Sequence, residues 1–131
     1  MRARWQNWLI QAEADLQWAE DSFADGHYAG VCFLCQQIGE KAVKALAYFR
    51  GADLVRGHSI LSICEELELN GPVREAAARL DLYYISTRYP DALPSGAPAE
   101  QFVSSQASEA LQLSRLIIAR VKEETTSGTE S

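Results

Sequence analysis

Long apolar runs are missing from this 131-residue chain. No stretch approaches the ~18 consecutive apolar residues that a membrane-spanning helix needs, so a span is excluded. The opening Met1-Arg2-Ala3-Arg4-Trp5-Gln6-Asn7 is not followed by an apolar block and a small-residue cleavage site, and the expected compartment is the cytoplasm. Positive charge is also scarce. Twelve Lys and Arg stand against eighteen Asp and Glu, a net charge of −6. A broad basic surface for duplex DNA is not expected, because such binding rests on many Lys/Arg–phosphate contacts. A small basic pocket on an acidic body is still compatible with this balance.

Cysteine is sparse and odd in number: Cys32, Cys35 and Cys64. An odd count in a chain without export signals argues against a disulfide framework. Cys32-x-x-Cys35 has the spacing of half a zinc site, but the chain offers one other Cys and two His, with no second close pair. The three thiols are read as small buried hydrophobes, and no metal is expected. A Gly-rich phosphate loop, a His-Glu-x-x-His helix and a Ser nucleophile on a strand–turn–helix are absent too. No cofactor and no familiar catalytic set is expected. No segment alternates convincingly with period 2, which leaves strands out.

What is present is helical periodicity. Trp5, Leu9, Ala12, Leu16, Ala19 and Phe23 are spaced 4 and 3 in alternation, which is one stripe of a helix over about Arg4–Ala24. Asp25-Gly26 ends it. Tyr28, Val31, Cys35, Ile38, Ala42, Ala45 and Phe49 repeat the pattern over about His27–Arg50, and Gly51 stops it. Two long helices with so short a join predict an antiparallel pair. A short third helix starts near Ser59, with Ser62-x-x-Glu65 as a competing capping box. Asn70-Gly71-Pro72 turns into a fourth helix with Val73, Ala77, Leu80, Tyr84 and Thr87 on one stripe, ended by Pro90. Residues 90–98 hold three of the four prolines and read as a stiff irregular loop. A fifth helix runs from about Ala99 to Lys122, with Val103, Ala107, Ala110, Ser114, Ile117 and Val121 in register. Glu123–Ser131 contains no apolar residue and reads as a disordered tail. The expected fold is all-α: one domain over residues 1–122, an antiparallel up-and-down four-helix bundle with an extra short helix, five helices in all.

Several residues do not look like core. On the second helix Gln37, Lys41, Lys44 and Tyr48 form another stripe, with Gln36 and Glu40 beside it. These side chains suit a phosphate or a partner carboxylate. The plainer alternative is a solvated face with i,i+4 pairs such as Glu40–Lys44. His58, between Gly57 and the cap Ser59, can orient a helix start, bind an anion or act as a base. Thr87-Arg88-Tyr89-Pro90-Asp91 places an arginine at a helix end; it can pair with Asp91, cap carbonyls or hold a phosphate. A structural tie to the Pro-rich loop is the competing reading. Trp8 and Trp18, with Gln11 and Asp15, form a stripe off the first helix's core face. They either complete the core or present a partner surface.

Taken together, Trp5, Asp15-Leu16-x-x-Ala19, His27-Tyr28, Phe33-x-x-Gln36-Gln37-x-x-Glu40-Lys41-x-x-Lys44-Ala45, Gly57-His58-Ser59 and Thr87-Arg88-Tyr89-Pro90-Asp91 occur in this order. In this the chain resembles the HEPN domain (higher eukaryotes and prokaryotes nucleotide-binding) over roughly residues 4–122. The resemblance implies a five-helix domain, usually a homodimer, working with a minimal nucleotidyltransferase as in toxin–antitoxin pairs. It also implies, in many relatives, metal-independent RNase activity through Arg-x(4–6)-His, where the His helps activate the ribose 2′-OH and the Arg steadies the phosphate. Arg88 matches that arginine. Tyr89-Pro90-Asp91-Ala92-Leu93-Pro94-Ser95 follows it, and no His occurs beyond residue 58.

The reading that results is a non-catalytic module. It binds a nucleotide or RNA phosphate through Lys41, Lys44, His58, Arg88 and Tyr89, with Asp91 orienting Arg88, and dimerises through Trp8 and Trp18. The alternatives are a divergent ribonuclease working with Arg88 and His58, and a purely structural or regulatory dimer.

Overall fold

The computed structural model describes residues 1–130, with side chains as far as Thr126. In chain order the elements are α1 (Arg4–Ala24), α2 (Tyr28–Phe49), α3 (Ile60–Glu66), α4 (Pro72–Asp81), α5 (Tyr83–Ser86), a 3-10 turn (Pro90–Ala92), α6 (Pro98–Gln101) and α7 (Ser104–Glu130). No strand occurs among the described residues. The bundle of four main helices, α1, α2, α4 and α7, with a short α3, is the expected all-α architecture.

The centre of the bundle is α2. It packs against α1 and α7, and also meets α3, α4, α5 and α6. Its sequence allows this because small residues cover the faces that its main apolar stripe leaves out. Ala42, Val43, Ala45, Leu46 and Ala47 are all buried. Gly39 sits where side chains of α3 and α7 press onto α2: a Cβ there would lie 2.7 Å from Ile60 Cδ1 and 3.2 Å from Ile117 Cδ1. The three cysteines are fully buried in this core, and burial pushes the Cys32 and Cys35 thiols up to about 12 and Cys64 to about 11.

Three boundaries differ from the expected ones. The fourth helix does not run unbroken to Thr87. At Leu82 the N–H bonds the Arg79 carbonyl three residues back, a tighter turn that separates α4 from α5. The fifth helix starts at Ser104, after a separate α6, so Val103 is half exposed instead of in the core. Its N–H is taken by the Gln106 side chain at 2.9 Å, which makes it the cap of α7.

The third difference is at the C-terminus. The helix does not stop at Lys122 but continues to Glu130, so Glu123–Glu130 of the expected tail is helical; Ser131 lies outside the described residues. Two arginines hold the extension: Arg120 Nε and Arg50 Nη2 donate to Glu124 at 2.9 and 3.2 Å. Those contacts hold the Glu124 carboxyl below its ordinary range, the Arg120 hydrogen bond first. Thr125 is buried, its hydroxyl returning a bond to the Val121 carbonyl at 3.0 Å.

Candidate functional site

The polar stripe of α2 is only partly solvated: Gln37, Lys41 and Tyr48 are half-buried, and the expected Glu40–Lys44 pair forms in the interior. Gln36, Glu40 and Lys44 are buried, Gln36 completely. Buried polar groups are tolerated when every one is bonded, and no buried side-chain nitrogen or oxygen lacks a partner among the described residues. Lys44 Nζ donates to Glu40 Oε2 at 2.8 Å, and the other carboxylate oxygen, Oε1, lies 3.2 Å from His58 Nδ1. An ionised carboxylate only accepts. Nδ1 therefore carries the proton in this contact, and Nε2 faces no partner among the described residues.

The loop bearing His58 is fixed from below. Gln36 Nε2 donates to the His58 carbonyl at 2.8 Å and reaches Asp81 Oδ1 at 3.4 Å. Asp81, the last residue of α4, accepts from Ser59 Oγ (2.9 Å), Ile60 N–H (2.9 Å) and Leu61 N–H (3.0 Å). Helix α3 is thus capped twice. Ser59 Oγ accepts from the Ser62 amide as the sequence predicts, and a carboxylate from another helix takes the first two amides.

His58 itself is more than half exposed and stacks on Tyr84, with ring centroids 4.9 Å apart and planes 18° apart. Tyr84 is shared. The Arg88 guanidinium lies 4.5 Å from the same ring centroid, 4.7 Å from that of Phe33 and 5.2 Å from that of Tyr89. Two contacts to one ring bring His58 and Arg88 within about 10 Å of each other, close enough for both to touch one ligand. Arg88 Nε donates to the Tyr84 carbonyl one turn back at 2.9 Å. Its two terminal nitrogens have no protein partner among the described residues, and they present a fork suited to a phosphate or carboxylate.

The six predicted ligand-binding residues therefore separate. His58, Arg88 and Tyr89 gather around Tyr84. Lys44 supports them only indirectly, because it is buried beneath the Trp8 ring (5.7 Å) and committed to Glu40. Lys41 is elsewhere: it pairs with Asp15 across the α1–α2 seam, with Gln11 completing the Asp15 carboxylate. Asp91 does not orient Arg88. Tyr89 is extended and Pro90 starts a new 3-10 turn, so Asp91 sits in the next element, with no ion pair among the described residues. The guanidinium folds back onto α5 instead.

The two tryptophans also part. Trp8 is half-buried, its ring 5.7 Å from Tyr48. Trp18 is 60% exposed and lines a groove of about 500 Å³ with Phe33, Leu34 and Lys41. Reasoning from the sequence missed Tyr84, Phe33 and Asp81. Tyr84 had a signal, its i,i+4 spacing to Arg88; the cap supplied by Asp81 from another helix had none.

Comparison with known proteins places the fold. The HEPN domain model matches residues 5–124. The chain is similar to TT1696 from Thermus thermophilus, with 42% identity and a TM-score of 0.87 over 94% of this chain and 99% of that one. It is also similar to ST0689, an archaeal HEPN homologue, with 37% identity and a TM-score of 0.80 over 95% and 99%. None of the curated proteins compared matches. With nearly its whole length matched in sequence and in fold, the chain belongs to the HEPN domain family.

Proposed function

We propose that this protein is a non-catalytic, dimeric HEPN module that binds a nucleotide or RNA phosphate at Arg88 and His58. In this reading it serves a minimal nucleotidyltransferase partner in a two-component, toxin–antitoxin-like system. The observation that carries the binding part is the Tyr84-centred stack. An arginine with two unoccupied terminal nitrogens and a histidine with an unoccupied Nε2 flank one aromatic ring, a pair of donors that can grip a phosphate. The dimer part is supported by Trp18, exposed beside an apolar groove on the α1–α2 face.

Titration of ATP and of a short single-stranded RNA tests the binding. Wild type is expected to bind, and Arg88→Ala to weaken binding by ~10-fold or more, the worth of a charge-assisted fork. No binding by wild type at millimolar ligand sinks the reading.

A second reading, a divergent ribonuclease, has one observation in its favour. Glu40 orients the His58 ring and leaves Nε2 open within about 10 Å of Arg88, the layout of a base beside a phosphate clamp. Cleavage of RNA by wild type that disappears in His58→Ala supports it over the non-catalytic one.

A further inference from the structure

The site at Tyr84 does not end at Lys44. Beyond Lys44 the contacts continue along one face: the Lys44 ammonium lies over the Trp8 ring, Trp8 packs on Tyr48 at 5.7 Å, and the Arg4 guanidinium sits 3.9 Å from the Tyr48 ring centroid. Arg4 is fastened there, donating to the Tyr48 hydroxyl (3.2 Å) and to the Asp53 carbonyl (2.8 Å). Contacts thus form one ribbon from Arg88 to Arg4, buried at the Glu40–Lys44 pair and half-buried or exposed at Arg88, Tyr84, His58, Trp8, Tyr48 and Arg4. From Glu40 to Tyr48 alone it follows eight residues of α2, ~12 Å at 1.5 Å per residue.

The charge pattern sets this face apart. Most arginines and lysines are neutralised by carboxylates: Arg50 and Arg120 by Glu124, Arg74 by Glu65, Arg79 by Glu109, Arg115 by Glu20, Lys122 by Glu13, Lys41 by Asp15 and, within the ribbon itself, Lys44 by Glu40. Among the described residues Arg2, Arg4, Arg56 and Arg88 have no carboxylate partner. Two of these four end the ribbon on aromatic rings, and Arg56 lies in the loop between Val55, which bonds Tyr48, and His58. Two of the four uncompensated cations of this acidic protein, Arg4 and Arg88, thus lie against half-buried or exposed rings. That combination suits a single strand, whose phosphates need cations and whose bases need flat partners.

We infer that the ribbon from Arg88 through Trp8 and Tyr48 to Arg4 is a track for a single-stranded oligonucleotide several residues long, and that the Tyr84 stack is only its first subsite. This rests on the function proposed above and extends it from a single phosphate to a strand.

The test compares oligouridylate of two and eight nucleotides on the full chain by fluorescence anisotropy. Wild type is expected to bind the octamer at least ~5-fold more tightly than the dimer, one additional stacked base being enough for that. Arg4→Ala, an exposed residue whose loss should leave the core intact, is expected to cancel most of that gain while the dimer's affinity stays within twofold. It should also reduce the slope of log affinity against log salt by ~0.7, one phosphate contact on a single strand. Arg74→Ala, with the same charge change on α4, should alter neither. Equal affinity for dimer and octamer, or an octamer affinity untouched by Arg4→Ala, overturns the track and leaves the Tyr84 site standing. Absence of binding to both lengths overturns the site and the track together.

Discussion

Arg88 illustrates how much one residue's role depends on what surrounds it. Its sequence neighbour Asp91 offered an obvious partner, yet the guanidinium lies among Phe33, Tyr84 and Tyr89 and commits only Nε to the protein. A proline that opens a new turn explains the difference, because it carries Asp91 away from the end of α5. The cysteines give the opposite lesson, since composition alone placed them in the core. Their raised thiols make a prediction. Native protein at neutral pH should be inert to a thiol reagent, with all three thiols reacting only on unfolding. Fast labelling of any one in the native state contradicts the burial described. The sign for stability follows from the same shifts. A group whose folded value lies above its unfolded value of about 9 favours the neutral form in the native state. That contribution is complete below about pH 9 and drains away as pH rises toward 11–12. Urea midpoints should therefore fall on the alkaline side, and less so in a variant with the cysteines replaced by alanine.

At the scale of elements, periodicity identified every long helix and the buried face of α1 and α2. It failed where local chemistry or distant partners decide. Leu82 has nothing helix-breaking about it; the tight bond to Arg79 that divides α4 from α5 has no sequence signature. The end of α7 was misread because Thr, Ser and Gly make a poor helix by propensity, while the grip on Glu124 comes partly from Arg50, on α2's C-terminal edge. That grip has a pH signature. The Glu124 carboxyl is held low, so its contribution to stability is present above its unfolded value near 4.5 and is lost as pH falls through its folded value. Glu124→Gln should lower the melting temperature at pH 7, and the gap from wild type should narrow as pH falls below the unfolded value of 4.5. A gap that stays constant with pH would show that charge is not what holds this turn.

For the whole molecule, the sequence indicated the fold class and the family, while the site was only half legible. His58 and Arg88 stood out as isolated polar residues beside helix ends. The buried row Gln36, Glu40 and Lys44 read equally well as a wet surface, because a stripe pattern does not say which helices will cover it; here α3, α5 and Trp8 do. Through Trp18 and the adjoining groove, the protein is expected to sediment as a dimer at ~100 μM, as a specific interface of micromolar affinity requires. Trp18→Glu should shift it to monomer. Wild type sedimenting as a monomer at that concentration removes this face as the dimer interface.

The carboxylate of Asp81 has a consequence for motion. A seven-residue helix at a bundle's edge ordinarily frays from its first turn, and its leading amides exchange with solvent almost freely. In α3 the two leading amides are bonded to a residue at the far end of α4, and the same carboxylate reaches the glutamine beneath His58. The amides of Ile60 and Leu61 cannot open without α4 letting go. Their exchange rates should therefore report on the junction of α4 and α5, some twenty residues downstream. Through that junction the backbone that presents His58 is tied to the backbone that presents Tyr84 and Arg88.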